Sequence, residues 1–174
     1  MQVTISANGK NIKAEISEEQ AKILGLAEER SRTGYERVEV EETYYLVDVD
    51  DEITNMKHNG QLDRDCYDVG NYYSNKTIAE NNARADRLLR HLRQWQAQND
   101  EPISVEDWNN ESKKKWFVAY SYGAEKLYAD YYYIMRLPNT IHFATKEKAE
   151  EAIEVFRDEL IWYFVEYQQR LDEE

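Results

Sequence analysis

Asp48, Asp50, Asp51 and Glu52, followed by Asp63 and Asp65, are the first residues that could do chemistry, as oxygen ligands to a hard cation. A calcium loop needs a fixed ligand spacing with a central glycine and a terminal glutamate, and neither group has it. Both read as solvated turns, and no metal is expected. The histidines His58, His91 and His142 form no HExxH and stand at no zinc-ligand spacing from the single cysteine, Cys66. No local histidine accompanies Cys66 to make it a nucleophile, and His142, between Ile141 and Phe143, reads as a packed or surface residue. The hydrolase and nucleotide fingerprints GxSxG and GxGxxG are absent. No catalytic residue or cofactor is assigned, and the expectation is a protein that is not an enzyme.

Three groups remain that could bind rather than react. The first is an acidic run, Glu39, Glu41, Glu42, Asp48, Asp50, Asp51 and Glu52. It suits a basic partner surface, and its ordinary structural role would be solubility. The second is a stripe at helical spacing, Arg84, Arg87, Arg90 and Arg93. It could hold phosphate or an acidic partner, or pair with the protein's own carboxylates. The third is the aromatic set Tyr128, Tyr131, Tyr132 and Tyr133; on a strand, Tyr131 and Tyr133 share one face and Tyr128 and Tyr132 the other.

The elements that must position these groups follow from periodicity. Residues 2–6 and 11–15 alternate around Asn8-Gly9, a hairpin-turn pair. Ser17 and Gln20 make a capping-box pattern for a short helix with an Ile23, Leu24, Ala27 stripe, ended by Thr33-Gly34. Strands are predicted over 44–49 and 52–57, turning at Asp50-Asp51, then a polar loop over 61–68 and a short strand at 71–73. Ser74 or Asn75 caps a helix running to about Gln98, with Ile78, Ala85, Leu88, Leu89, Leu92 and Trp95 on one face. Ser104 and Asp107 suggest a turn or short helix. Strands over 116–122 and 126–135, a short strand at 140–143 and a helix from Thr145 to about Leu171 complete the chain. The last helix carries Ala149, Ile153, Phe156, Leu160, Phe164 and Tyr167 as its main stripe. Val155, Ile161, Trp162 and Val165 lie off it and call for a cover, either residues 1–32 or a second copy in a homodimer.

The second half echoes the first. Tyr73/Phe143, Lys76/Lys146, Ala79/Ala149, Glu80/Glu150 and Arg87/Arg157 fall into register seventy residues apart. The fold class expected is α+β: two diverged β-hairpin–strand–long-helix repeats, residues 35–98 and 103–174, preceded by a hairpin and short helix in residues 1–34.

Charge and composition narrow the partners. The 174 residues carry 35 Asp+Glu against 22 Lys+Arg, a formal charge of −13. A field of that sign repels a polyanion, so direct nucleic-acid binding is not expected. The 14 Tyr, 4 Trp and 4 Phe supply the apolar area of a folded core. One cysteine fits a reducing cytoplasm, and no apolar run approaches the roughly 18 residues of a membrane span.

Several segments resemble a family of small, acidic proteins from phages and mobile elements of Gram-positive bacteria. They are Thr33-Gly34-Tyr35-Glu36-Arg37-Val38-Glu39, Glu42-Thr43-Tyr44-Tyr45, and Asp65-Cys66-Tyr67-Asp68-Val69-Gly70-Asn71-Tyr72-Tyr73. Lys114-Lys115-Trp116-Phe117-Val118-Ala119-Tyr120, Ile141-His142-Phe143 and Ala149-Glu150-Glu151-Ala152-Ile153 continue the likeness. After Glu154 the chain departs from it. The resemblance carries over no catalytic residue. It implies a phage accessory protein in a bacterial cytoplasm, an origin that includes inhibitors of host immunity, among them anti-CRISPR proteins. The function expected is an inhibitor that binds a CRISPR effector nuclease, type II favoured, and blocks its nucleic-acid-binding surface with the acidic run. The alternatives are a sponge that sequesters a nucleotide immune signal, with Arg84, Arg87 or Arg90 on phosphate, and an accessory protein of other role.

Overall fold

Residue alternation puts Gln2–Ala7 (β1) antiparallel to Lys10–Glu15 (β2), with Ile5 opposite Ile12. The computed structural model describes residues 2–7, 10–24 and 32–173, so the Asn8-Gly9 turn and Ala27 lie outside the described residues. The Ser17 hydroxyl accepts the Gln20 N–H at 3.1 Å, and the Gln20 side chain accepts the Ser17 N–H at 3.0 Å. This reciprocal cap starts Glu18–Ile23 (α1). The helix stops at Ile23, well before the expected end at Thr33-Gly34, and Ile23 and Leu24 are exposed rather than stacked in a buried stripe. These elements belong to one compact unit, Met1–Thr33, and everything after belongs to a second, Gly34–Glu174.

The second unit is built along one helix, Lys76–Asn99 (α3). Asn75 caps it, its side-chain oxygen accepting the Ile78 N–H at 3.1 Å. Ahead of it, Thr43–Val47 (β3) pairs antiparallel with Ile53–Lys57 (β4). Tyr73, Ile78 and Ala79 form a buried cluster against Tyr35, Tyr45, Val47 and Ile53. Towards the other end, Leu88 and Leu92 join Phe143, Ala149, Ala152 and Leu160 in a second cluster. Two covers explain why Ala79 and Ala83 are buried although they lie off the expected stripe, while Leu89 and Trp95 are only half-buried.

After α3, Ser104 and Asp107 cap each other's ends of Val105–Asn109 (α4). Lys115–Ser121 (β5) pairs antiparallel with Lys126–Tyr132 (β6). Thr145 accepts the Lys148 N–H at 3.2 Å and opens Lys146–Val155 (α5).

Three expectations need correction. Residues 61–68 form a helix, Gln61–Asp68 (α2), not a loop. The carboxylate of Asp63 accepts the Asn59 and Gly60 N–H groups at 2.6 and 2.5 Å and the Tyr44 hydroxyl at 2.9 Å. One buried acid thereby satisfies amides at the helix start that the polar sequence left unaccounted for. The short third strand of each half is a single antiparallel bridge, Tyr45 to Tyr73 and Trp116 to Phe143. The last helix is broken: α5 ends before Phe156, whose ψ is 19°, and Arg157–Val165 (α6) follows. Ala149 and Ala152 of α5, Phe156 itself and Leu160 of α6 nevertheless stay on one face and meet in one cluster. Beyond α6, Tyr167 donates its hydroxyl to Asn82 at 2.8 Å and Asn81 donates to the Gln168 carbonyl at 2.9 Å, so the chain folds back on α3 instead of continuing as helix.

Candidate functional site

The β3–β4 hairpin carries the acidic run and divides it. Asp48, Asp50, Asp51 and Glu52 sit at its turn, where Asp51 adopts a φ of 65°. There the Asp48 carboxylate accepts the Val49 N–H at 2.6 Å and the Thr54 hydroxyl at 3.3 Å. Glu39, Glu41 and Glu42 sit at the opposite end, beside His58, whose N–H donates to the Glu42 carbonyl. Five-residue strands place about 17 Å between the two ends. The run is continuous in sequence but makes two acidic groups in space. Glu39, Glu41, Glu42, Asp48, Asp50 and Glu52 are exposed, and none of the six is in an ion pair among the described residues.

Asp51 stands apart because the arginine stripe takes it. Arg87 donates to its carboxylate and Arg90 does so at 2.5 Å. The Arg87 hydrogen bond holds the Asp51 carboxyl below its ordinary range. Arg84 grips Glu159 with two hydrogen bonds of 2.9 and 3.0 Å, which lowers the Glu159 carboxyl in the same way. Of the four arginines, only Arg93 has no acidic partner among the described residues.

Arg84 has a second neighbour, with its guanidinium carbon 3.9 Å from the centre of the Trp162 ring. Trp162 is buried, stacked obliquely on Tyr167. It is therefore covered by its own chain, not left open for a second copy as its place off the main stripe suggested. Val155, Ile161 and Val165 are exposed.

The tyrosines of β6 divide as alternation predicts. Tyr131 packs its ring on Trp116 and Tyr133, and Lys114 Nζ lies 4.0 Å from its centre. Tyr132 stacks on Phe117 from the other face. Tyr128 and Tyr133 are exposed.

His142 is buried between Trp108 and Phe117. Its Nδ1 lies 3.1 Å from the Thr140 carbonyl, so Nδ1 carries the proton, and Nε2 has no partner among the described residues. Burial pushes the imidazole below its ordinary value, and nearby Arg136 adds to the effect. The unfolded chain takes up the proton first as pH falls. The stability contributed by neutral His142 is complete above about pH 6.5 and declines as pH drops from there towards the lowered folded value. From pH 8 to 5 the denaturant midpoint of wild type should fall relative to that of His142→Phe. Parallel curves would show that His142 does not titrate on unfolding.

Two charged residues that hold the site were not legible as such in the sequence. Asp63 is one. The other is Lys115, fully buried, which donates to the Asn110 carbonyl at 2.9 Å and to the Tyr133 carbonyl, tying the end of β6 to the segment before β5. Its signal was alternation, since Lys115 shares a strand face with buried Phe117. His58 Nδ1 lies 3.7 Å from Asp63, and Cys66 is a half-buried free thiol. Among the described residues no three histidine, cysteine or acidic side chains are placed to hold a metal, and no helix is long and apolar enough to cross a membrane. No family model matches the chain, and neither a curated protein nor a solved structure matches it.

Proposed function

We propose that this protein is a non-enzymatic inhibitor of bacterial immunity that binds a CRISPR effector nuclease, of type II, and covers its nucleic-acid-binding surface with carboxylates. One observation carries the reading: six exposed carboxylates, without ion pairs among the described residues, occupy the two ends of one hairpin in a chain of net charge −13. An RNA-guided nuclease holds nucleic acid in a positively charged channel. Opposite charge speeds the encounter and fixes its orientation. The segments that resemble phage accessory proteins point the same way. The alternative, a nucleotide sponge, would require Arg84, Arg87 and Arg90 to leave Glu159 and Asp51.

Association with the nuclease should weaken as salt is raised, because exposed charges are screened within about 8 Å at physiological ionic strength. The triple variant Asp48→Lys, Asp50→Lys, Glu52→Lys spares Asp51 and hence the contact with α3. Each reversal should remove about 0.5–1 kcal/mol of attraction, so affinity should fall roughly tenfold or more. Titration calorimetry at two salt concentrations reads both effects; salt-independent binding by wild type would reject the electrostatic contact.

We also infer that residues 35–98 and 103–174 are diverged copies of one unit. The hairpin, the bridge to Tyr73 or Phe143, the Asn75 or Thr145 cap, and the ion pairs Lys76–Glu80 and Lys146–Glu150 recur in one order. An experimental structure in which the two segments fail to superpose would reject this.

A further inference from the structure

A cavity of about 410 Å³ lies between α3, β5, the 138–141 segment and α6. Its floor is buried and aliphatic or aromatic, with Leu88, Leu92, Phe143 and Leu160 each no more than 5% exposed. Its mouth lies at Tyr122, which is 70% exposed, and at Asn139. No lining residue is charged, although a third of the chain is. Two further cavities of the same unit are lined by charges, one by Lys126, Glu147 and Arg157, the second by Asp51, Arg84 and Arg87.

We propose that this cavity is a binding site for an uncharged, mostly apolar small molecule that carries one polar group at its outer end. The volume is within the range of small-ligand sites. Water is a poor occupant of the floor, because an ordered water needs two to four polar partners and these side chains offer none. A charged ligand would lose its hydration with nothing to pair it, which excludes nucleotides and other phosphates here. The polar side-chain atoms of the lining belong to Tyr120, Tyr122, Asn139, Thr140 and Tyr163, none of them among the buried floor residues. The Tyr122 hydroxyl already donates to the Phe164 carbonyl and the Thr140 hydroxyl to the Pro138 carbonyl at 3.3 Å, so both are left as acceptors. The Asn139 side-chain amide can both donate and accept. The ligand's polar group therefore meets the rim formed by Asn139 and the Tyr120 and Tyr163 hydroxyls, and its ring or alkyl body fills the floor. This site is separate from the acidic hairpin and stands whether or not the inhibitor reading does.

The test is titration of the full chain with N-phenyl-1-naphthylamine, a neutral fluorescent aromatic. It should bind saturably at one site per chain, and an excess of AMP should not displace it. Leu89→Trp fills the cavity from α3 and should weaken binding about tenfold or more. Thr140→Trp does so from the 138–141 segment and serves as the second variant, with circular dichroism checking that each folds. Absence of saturable binding, or equal binding by wild type and both folded variants, would overturn the proposal.

Discussion

Phe143→Ala should lower the free energy of unfolding by about 3–5 kcal/mol. The ring is 1% exposed and sits at the centre of the second cluster, with Leu88 and Leu92 from α3, Ala149 and Ala152 from α5 and Leu160 from α6. Trp95 meets it edge-on at 6.1 Å. The two backbone hydrogen bonds to Trp116, 2.7 and 3.0 Å, do not need the side chain, so the bridge survives and the loss is one of packing. The void left behind adds to the lost transfer energy, because the cluster is braced by three helices and a hairpin and cannot collapse onto it. A urea titration should show an earlier midpoint with an unchanged slope. A loss under about 1 kcal/mol would mean that Phe143 is not the centre of the core.

Gly34→Ala should cost about 2–4 kcal/mol, large for the addition of one methyl group. Gly34 has a φ of +95°, in the region that a side chain disfavours. An added Cβ would also stand 2.8 Å from Ile78 Cγ1, and Ile78 is fully buried on α3. The position is fixed from both sides, since the Gly34 carbonyl accepts the Ser74 N–H at 2.8 Å and its own N–H donates to Glu36 at 3.1 Å. The methyl therefore cannot be relieved without moving the entry to α3. Gly123→Ala is the control: its Cβ would meet nothing within 4 Å, and stability should change by less than about 0.5 kcal/mol. Equal melting of the two variants would contradict the packing at Gly34.

Features set by neighbours in sequence were legible in advance. The Asn75 and Thr145 caps, the Ser104–Asp107 turn and the Ile78, Ala85, Leu88 and Leu92 part of the α3 face follow from side chains one to four residues away, and the structure has them. Features set by contacts far along the chain were not. Gln61–Asp68 has a polar sequence, and the buried carboxylate that organises it is hydrogen-bonded to Tyr44, 19 residues earlier. Phe156 interrupts α5–α6 without a proline or glycine to mark it in the sequence, and it packs against a cluster that draws on α3 as well as on α5 and α6. Trp162 looked unpartnered because its cover, Arg84, is on another helix. The acidic run looked like one patch because a hairpin's two ends are separated only once it has folded.

The most direct test of the inhibitor reading is fluorescence anisotropy of labelled target DNA on a guide-loaded type II nuclease, titrated with this protein. The wild type should abolish DNA binding at low salt and lose potency as salt rises. The variant with Asp48, Asp50 and Glu52 changed to Lys should need roughly tenfold more protein or beyond. DNA binding that persists at saturating wild-type protein, or equal potency in the reversed variant, would contradict the claim that these carboxylates cover the nuclease's nucleic-acid surface.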